Sequence, residues 1–456
     1  MKILVFLFSF LSTFSPGFGQ NSIKIKGCIR DLPYSKVYLG DLHGGRMTYI
    51  DSSIVNNGCF DFYVPDSIPK GLYNIILNRQ ANAYLRIILN KETVEFTSVY
   101  SKLLDSIQFT SSRENRLFYD YTKMASKASE KTDLLTRLQS FYPEKDPVRI
   151  MLNSELGQVN NSTSKFAGDL VSQNSKTFAA AYIKSSQPVK VPAGSDKISY
   201  IKQHFFDHVD FSNSSLLHSD VLTISILNYL SLFENPSNTY REQVEGYAQA
   251  LDVILTKASA NEEVYSFYRK ELTDRYRYGN FDILGAYLME YFQDRNPLVP
   301  RVLQGDVATR LNKLKCISIG KQAPNILMPT YDGKNMGLTD INSDYTLIVF
   351  WSTGCSHCTE MLPGLKQVYE RKKGNSLEVL AISFDTDKKE WETFVKNGNY
   401  SWLNYSDLKG WNSDIAKDYN IQGTPTYLLL NKEKTVIYKP ATLEELVNKL
   451  RSLNVI

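Results

Sequence analysis

The residues of this chain with types and spacing suited to chemistry are Cys355 and Cys358. They stand in the stretch WSTGCSHC, residues 351–358, which overlaps the end of the apolar run TLIVFW. A thiol pair at this spacing serves four purposes: haem attachment, metal binding, a structural staple or a reversible redox couple. Haem attachment requires His directly after the second cysteine, and Thr359 stands there. A structural zinc site takes four ligands, usually from two such pairs. The other cysteines, Cys28, Cys59 and Cys316, are single and scattered. An inert staple would close a very short loop, which constrains the unfolded chain least. The reading that remains is a redox couple.

The setting favours that reading. The pair falls where a buried strand gives way to a helix, and Gly354 allows a sharp turn. Cys355 is expected in the first helical turn, where unpaired backbone N–H groups and the helix dipole favour negative charge. The thiolate is the attacking species, and such sites bring a cysteine pKa to about 3.5–7.5 from about 8.5. Cys358, one turn later, is expected to be more buried and to resolve the mixed disulfide. His357 beside the pair would stabilise the thiolate, favour the dithiol and raise the reduction potential above the roughly −270 mV of plain thioredoxin. Two further histidines, His204 and His208 in IKQHFFDHVD, stand four apart. They lack the glutamate of a zinc-protease helix and a third ligand. They read as structural or surface residues, and no metal site is assigned.

The elements that must position the pair follow from periodicity. Residues 318–456 alternate strands and helices. PNILMPTYDGKNMGL reads as a hairpin turning at Asp332-Gly333, TLIVFW and LEVLAISFD as buried strands, and CSHCTEMLPGLKQVYERK as a helix carrying Pro363. DKKEWETFVKNG and DIAKDYNI read as helices, TPTYLLL and TVIYKP as a hairpin, and TLEELVNKLRSL as a closing helix. Helices on both faces of a mixed sheet are expected. Residues 20–108 alternate apolar and polar positions, with Asn56-Asn57-Gly58 as a turn, and predict an antiparallel β-sandwich. Cys28 and Cys59 share the polar face of neighbouring strands there, and sequence leaves their pairing open. Residues 109–312 carry apolar residues at three- and four-residue spacing, broken at Pro143, Pro188, Pro192, Pro236, Pro297 and Pro300, and predict a helical domain. The fold class expected is therefore multidomain α+β.

Residues 1–19 read as a secretory signal: Lys2, an apolar segment Ile3 to Phe14, Pro16, then Gly17 and Gly19 at a cleavage site before Gln20. The apolar segment is below spanning length. Export to the periplasm or cell envelope is expected, a setting where disulfides persist. Apolar residues make up 43% of the 456 and charged residues 22%, with a formal net charge of +4. That balance gives ample core and no electrostatic footprint for nucleic acid.

With FW-x-x-x-C-x-x-C at Phe350 to Cys358, Pro363 in the following helix and Gly423-Thr424-Pro425 before a strand, the last 140 or so residues resemble a thioredoxin fold. They are most similar to the TlpA/ResA-like exported thioredoxins. A β-domain followed by a helical middle resembles the larger Bacteroidota members, on order and character of segments. The resemblance implies a thiol–disulfide oxidoreductase serving cell redox homeostasis, with Cys355 as nucleophile and Cys358 as resolving thiol. It implies a cis bond at Thr424-Pro425 lying against the pair, and Trp351, His357 and Glu360 as supporting residues. Client proteins with cysteines or disulfides, and a membrane protein that exchanges electrons, are the implied partners. No metal or organic cofactor is expected beyond the redox-active disulfide.

Two departures bear on proton transfer. Val349 stands where plain thioredoxin has a buried aspartate. Many relatives place glutamate three residues after the second cysteine, where this chain has Met361; Glu360 is one earlier, about 100° away round a helix. Asp385, at the end of the second buried strand, is another candidate acceptor for the Cys358 proton. The rival function is a binding or scaffold protein in which the redox domain is a weakly active appendage. Cys316 carries no assignment.

Overall fold

The computed structural model describes residues 22–80, 83–192, 194–277, 279–292, 307, 311, 317–329, 335–421 and 423–456. The expected signal segment, Pro297, Pro300, Cys316 and the Asp332-Gly333 turn lie outside the described residues. The chain divides into two compact units, one through Asn228 and one from Tyr229.

The first unit opens with eight strands: β1 (Ser22–Arg30), β2 (Lys36–His43), β3 (Arg46–Ile54), β4 (Cys59–Pro65), β5 (Gly71–Asn78), β6 (Ala83–Leu89), β7 (Val94–Val99) and β8 (Gln108–Phe109). They make two four-stranded sheets, ordered β4-β1-β7-β8 and β3-β2-β5-β6. The period-two pattern holds on β1, where Ile23, Ile25 and Ile29 are buried, and on β4, where Phe60, Phe62 and Val64 are. Gly27 is a glycine by necessity, because a Cβ there would stand 2.5 Å from the Phe60 ring and 2.6 Å from that of Phe96. One expectation is corrected. The strands are not wholly antiparallel, since β1 and β7 run parallel, with Ile25 opposite Val94. Turn signals report on strands adjacent in sequence. β7 returns to β1 only after β2, β3, β5 and β6 have formed the other sheet, so no local signal fixes its direction.

Cys28 and Cys59 face each other in the antiparallel register of β1 and β4 and are joined by a disulfide. The helices Arg113–Gln139 and Pro147–Gln173 follow. The second starts with Asp146 capping Val148 N–H and Pro147 in the first turn, the arrangement that satisfies free N–H groups while dispensing with one. The helix Lys197–His204 ends at His204, so His208 lies beyond it and the two rings do not share a helical face. His204 instead meets Asp207 at 2.7 Å and stacks on Tyr200.

The second unit begins with helices. Tyr240–Ala258 opens on a capping box in which Thr239 and Glu242 each receive the other's backbone N–H. Glu262–Arg275 and Asp282–Tyr291 come next. A short hairpin of β9 (Leu327–Pro329) and β10 (Asn335–Gly337) precedes a mixed sheet. Its strands are β11 (Tyr345–Trp351), β12 (Leu377–Ser383), β13 (Leu403–Tyr405), β14 (Thr426–Leu430) and β15 (Val436–Tyr438), ordered β13-β12-β11-β14-β15. β11 runs parallel to β12 and antiparallel to β14. As the central strand it is buried on both faces, which is why its sequence is a continuous apolar run rather than an alternation. Leu347, Val349 and Trp351 face one core with Leu362, Leu365, Leu446 and Leu450. Ile348 and Phe350 face the other with Leu380, Ile382 and Tyr419. No helix among the described residues is long and apolar enough to cross a membrane.

Candidate active site at the end of the central strand

The site is built where β11 stops. Its last residue, Trp351, is buried, and its carbonyl accepts from Phe384 N–H at 2.9 Å. Residues 352–354 then turn the chain, and the helix Ser356–Glu370 begins. Cys355 is its N-cap rather than a member of its first turn. The Sγ of Cys355 lies 3.3 Å from the backbone N–H of Cys358, which donates to it. A backbone N–H of the first turn, which the sulfur shares with the Cys355 carbonyl at 3.0 Å, and the positive end of a 15-residue helix thus both converge on this sulfur. Cys355 is half-buried and Cys358 fully buried in the core beside Trp351 and Leu362. The two are disulfide-bonded.

The opposite side of Cys355 is formed by the loop before β14. The register pairs Phe350 with Thr426, so residues 424 and 425 lie level with the end of β11, where the pair begins. The Thr424-Pro425 peptide is cis. The Thr424 carbonyl oxygen is 3.5 Å from Cys355 Sγ, within reach of an S–H in the reduced protein. Thr426 Oγ1 donates to the Gly423 carbonyl at 2.7 Å and closes the turn.

Of the other residues singled out by sequence, Trp351 packs its ring 5.4 Å from that of Phe394 on the helix Lys388–Gly398. His357 is exposed and lines a cavity together with Thr424 and Pro425. Glu360 is also exposed, whereas Met361 packs against the core that holds Cys358. The helical position facing inward is therefore an apolar one in this chain.

Asp385 has a task that its position in sequence did not reveal. It is buried, and its carboxylate accepts from Ser352 Oγ at 2.8 Å, Thr353 N–H at 3.0 Å, Thr353 Oγ1 at 2.8 Å and Ser383 Oγ at 2.6 Å. Three of the four donors lie on residues 352 and 353, so this one carboxylate fixes the loop that delivers Cys355 to the helix tip. The partners of the loop lie more than thirty positions away in sequence, and nothing in the stretch around Asp385 names them. A second unforeseen group is Lys439, buried beside β15, whose ammonium donates to the Asp282 carboxylate and to the Ile317 carbonyl at 2.7 Å. Burial pushes the Asp282 carboxyl above its usual range, against the opposing pull of Lys439.

Residues 319–439 match the AhpC/TSA family, and residues 154–284 match a domain of unknown function, DUF5106. The thiol-disulfide oxidoreductase ResA of Bacillus cereus is 28% identical over 145 residues, covering 31% of this chain and 82% of that protein. The thioredoxin-like protein YneN of Bacillus subtilis is 29% identical over 124 residues, covering 26% of this chain and 69% of that protein. A crystal structure of a thioredoxin-like protein from Bacteroides caccae is 23% identical, with a TM-score of 0.44, and covers 58% of this chain and 98% of that one. Residues 319–439 are a thioredoxin-like domain that matches the AhpC/TSA family and is similar to the ResA oxidoreductases. The chain is a thioredoxin-like oxidoreductase.

Proposed function

We propose that the protein is an exported thiol–disulfide oxidoreductase that exchanges disulfides with client proteins in the periplasm or cell envelope. The observation that carries this reading is the Cys355 sulfur at a helix N-cap, receiving the Cys358 N–H at 3.3 Å, with its partner sulfur buried one turn behind. In the reducing direction the Cys355 thiolate attacks a client disulfide. One client sulfur leaves as thiolate, and a mixed disulfide joins Cys355 to the other. The Cys358 thiolate then attacks Cys355 Sγ, the second client sulfur leaves, and the Cys355–Cys358 disulfide forms. Two electrons pass from the pair to the client, and the leaving thiolates take up protons from solvent. The reverse sequence donates a disulfide.

The disulfide itself is the redox group, and the chemistry calls on no metal or organic cofactor. Thr424 and Pro425 border the approach to Cys355, Trp351 supports the strand end beneath it, and His357 bears on the reduction potential. Glu360, exposed at the surface, is assigned to contact with a client rather than to the buried sulfur. A membrane protein that supplies electrons would return the pair to the dithiol. The apolar segment at residues 3–14 supports export.

The test is covalent trapping. Cys358→Ser, expressed in the source cells, should accumulate mixed disulfides that reductant dissolves, and tryptic mapping should place them on Cys355. Adducts mapping to Cys28 or Cys59, or none at all, would reject the mechanism.

A further inference from the structure

The four tryptophans of the chain divide three to one. Trp351 and Trp402 are buried, Trp391 is half-buried, and Trp411 is 54% exposed. Single exposed apolar side chains are ordinary on a protein surface. Trp411 is set apart by how it is held and by where.

Trp411 lies on the turn Gly410–Asn412, between β13 and β14. The chain around it is fixed from within. The Asp407 carboxylate accepts from Lys409 N–H at 3.1 Å and from Ser413 Oγ at 2.7 Å. Leu408 N–H donates to Ser406 Oγ at 3.2 Å, and Ser413 N–H to the Gly410 carbonyl at 3.1 Å. Leu408 and Gly410 have φ of +59° and +56°, and a Cβ on Gly410 would stand 3.0 Å from Thr386 Cγ2. A leucine in the left-handed region costs free energy that its surroundings must offset. The loop holds that conformation and turns the indole outward.

The base of this loop is shared with the loop that carries Cys355. Ser406 Oγ donates to the Ser383 carbonyl at 2.9 Å, while Ser383 Oγ donates to the Asp385 carboxylate that also gathers Ser352 and Thr353. The Trp411 ring lies 5.0 Å from that of Phe384, whose N–H is bonded to the Trp351 carbonyl. Cys355 N–H in turn donates to the Ser352 carbonyl at 3.2 Å. One aromatic ring and one strand end therefore connect Trp411 to the redox turn. Charge gives the loop no bias, since residues 407–417 carry two lysines and two aspartates. Asp414 stands 3.6 Å from the Lys409 ammonium and 3.0 Å from that of Lys417. What the loop offers is apolar surface.

We propose that Trp411 is the anchor on which a client polypeptide lays an apolar side chain while its cysteine meets Cys355. This rests on the thiol–disulfide reading above and adds what the client carries besides its cysteine. A small disulfide meets only Cys355. A polypeptide continues across the end of β12 to Trp411, where covering the indole removes apolar area of both partners from water.

The full-length protein is assayed on hydroxyethyl disulfide and on disulfide-bonded peptides that carry Leu or Ser at one of the four positions on either side of the cysteine. At one of these positions the wild type should favour Leu about fivefold in kcat/KM, the difference lying in KM, as partial burial of one side chain allows. Trp411→Ala should abolish that preference and lower kcat/KM on the Leu peptide about fivefold relative to hydroxyethyl disulfide. Trp411→Phe, which keeps an aromatic face, should retain most of it. The reduction potential of the pair, measured in each variant, shows whether the sulfurs themselves are intact. If no position favours Leu, or Trp411→Ala keeps the preference or slows all the substrates in proportion, the anchor is rejected while the oxidoreductase stands. If the wild type turns over none of the substrates, the oxidoreductase reading falls and the anchor with it.

Discussion

The Cys28–Cys59 and Cys355–Cys358 disulfides are built from the same bond in two unlike settings. Cys28 and Cys59 face each other across β1 and β4, at the end of an antiparallel register that runs from Ser22 opposite Pro65. Backbone N–H groups there belong to the ladder and the adjoining turn, as when Cys59 N–H donates to the Asn56 carbonyl at 2.9 Å. Cys355 sits where a ladder has ended and a helix has begun, so backbone donors are available to its sulfur. The span differs too: 31 positions separate the first pair and 3 the second. A long loop restricts the unfolded chain more than a short one. The first pair is placed to hold a fold together, and the second stands in the setting that the proposed exchange chemistry requires. What separates them is backbone geometry, not the bond.

That contrast can be broken most directly by turnover. Cys355→Ser should lower insulin reduction by on the order of a thousandfold or more, as removal of a nucleophile does. The double variant Cys28→Ser/Cys59→Ser should stay within about twofold of wild type. Equal losses in the two would erase the distinction.

Stability should show the reverse order. Denaturant unfolding of Cys28→Ser/Cys59→Ser is expected to lose roughly 3–4 kcal/mol from loop entropy, and Cys355→Ser/Cys358→Ser about half as much. A larger loss from the second pair would mean that it is the structural one.

Asp385→Asn sharpens the role of the loop before Cys355. It keeps the shape and removes the charge that gathers Ser352, Thr353 and Ser383. A destabilisation of about 1–3 kcal/mol is expected, as for hydrogen bonds to a charged acceptor. Insulin turnover should fall with it, because Cys355 is no longer held at the helix tip. Normal turnover in a destabilised variant would reduce Asp385 to a fold residue.

The smallest effect is in pH dependence. Iodoacetamide alkylation of reduced protein should show Cys355 reacting with a midpoint below the roughly 8.5 of a free thiol, and reduced Cys28 and Cys59 near that value. As pH falls, Cys355 should therefore be the last of the three to lose reactivity. Coincident midpoints would show that the helix tip does not set the chemistry.

Much of the candidate site could be read from the chain because its parts are local. TLIVFW followed by Gly354, Cys355 and Cys358 states a strand, a turn and a helix within fifteen residues. Gly423-Thr424-Pro425 before TYLLL is equally compact. The alternation on β1 and β4 reports the buried face of each strand, and the position of Cys28 and Cys59 on the other face follows from it. Met361 could be seen to occupy the inward position only by counting helical turns, and the structure agrees with the count.

The amino-acid order thus determined the elements and the candidate pair, since side-chain period and turn chemistry act over a few residues. Tertiary structure decided the parallel return of β7 to β1, the division between Asn228 and Tyr229, the grip of Asp385 on the loop ahead of Cys355 and the anchoring of residues 280–282 by Lys439. Each joins groups far apart along the chain. Such contacts depend on which surfaces bury one another once the elements exist, and short-range periodicity carries no record of that choice.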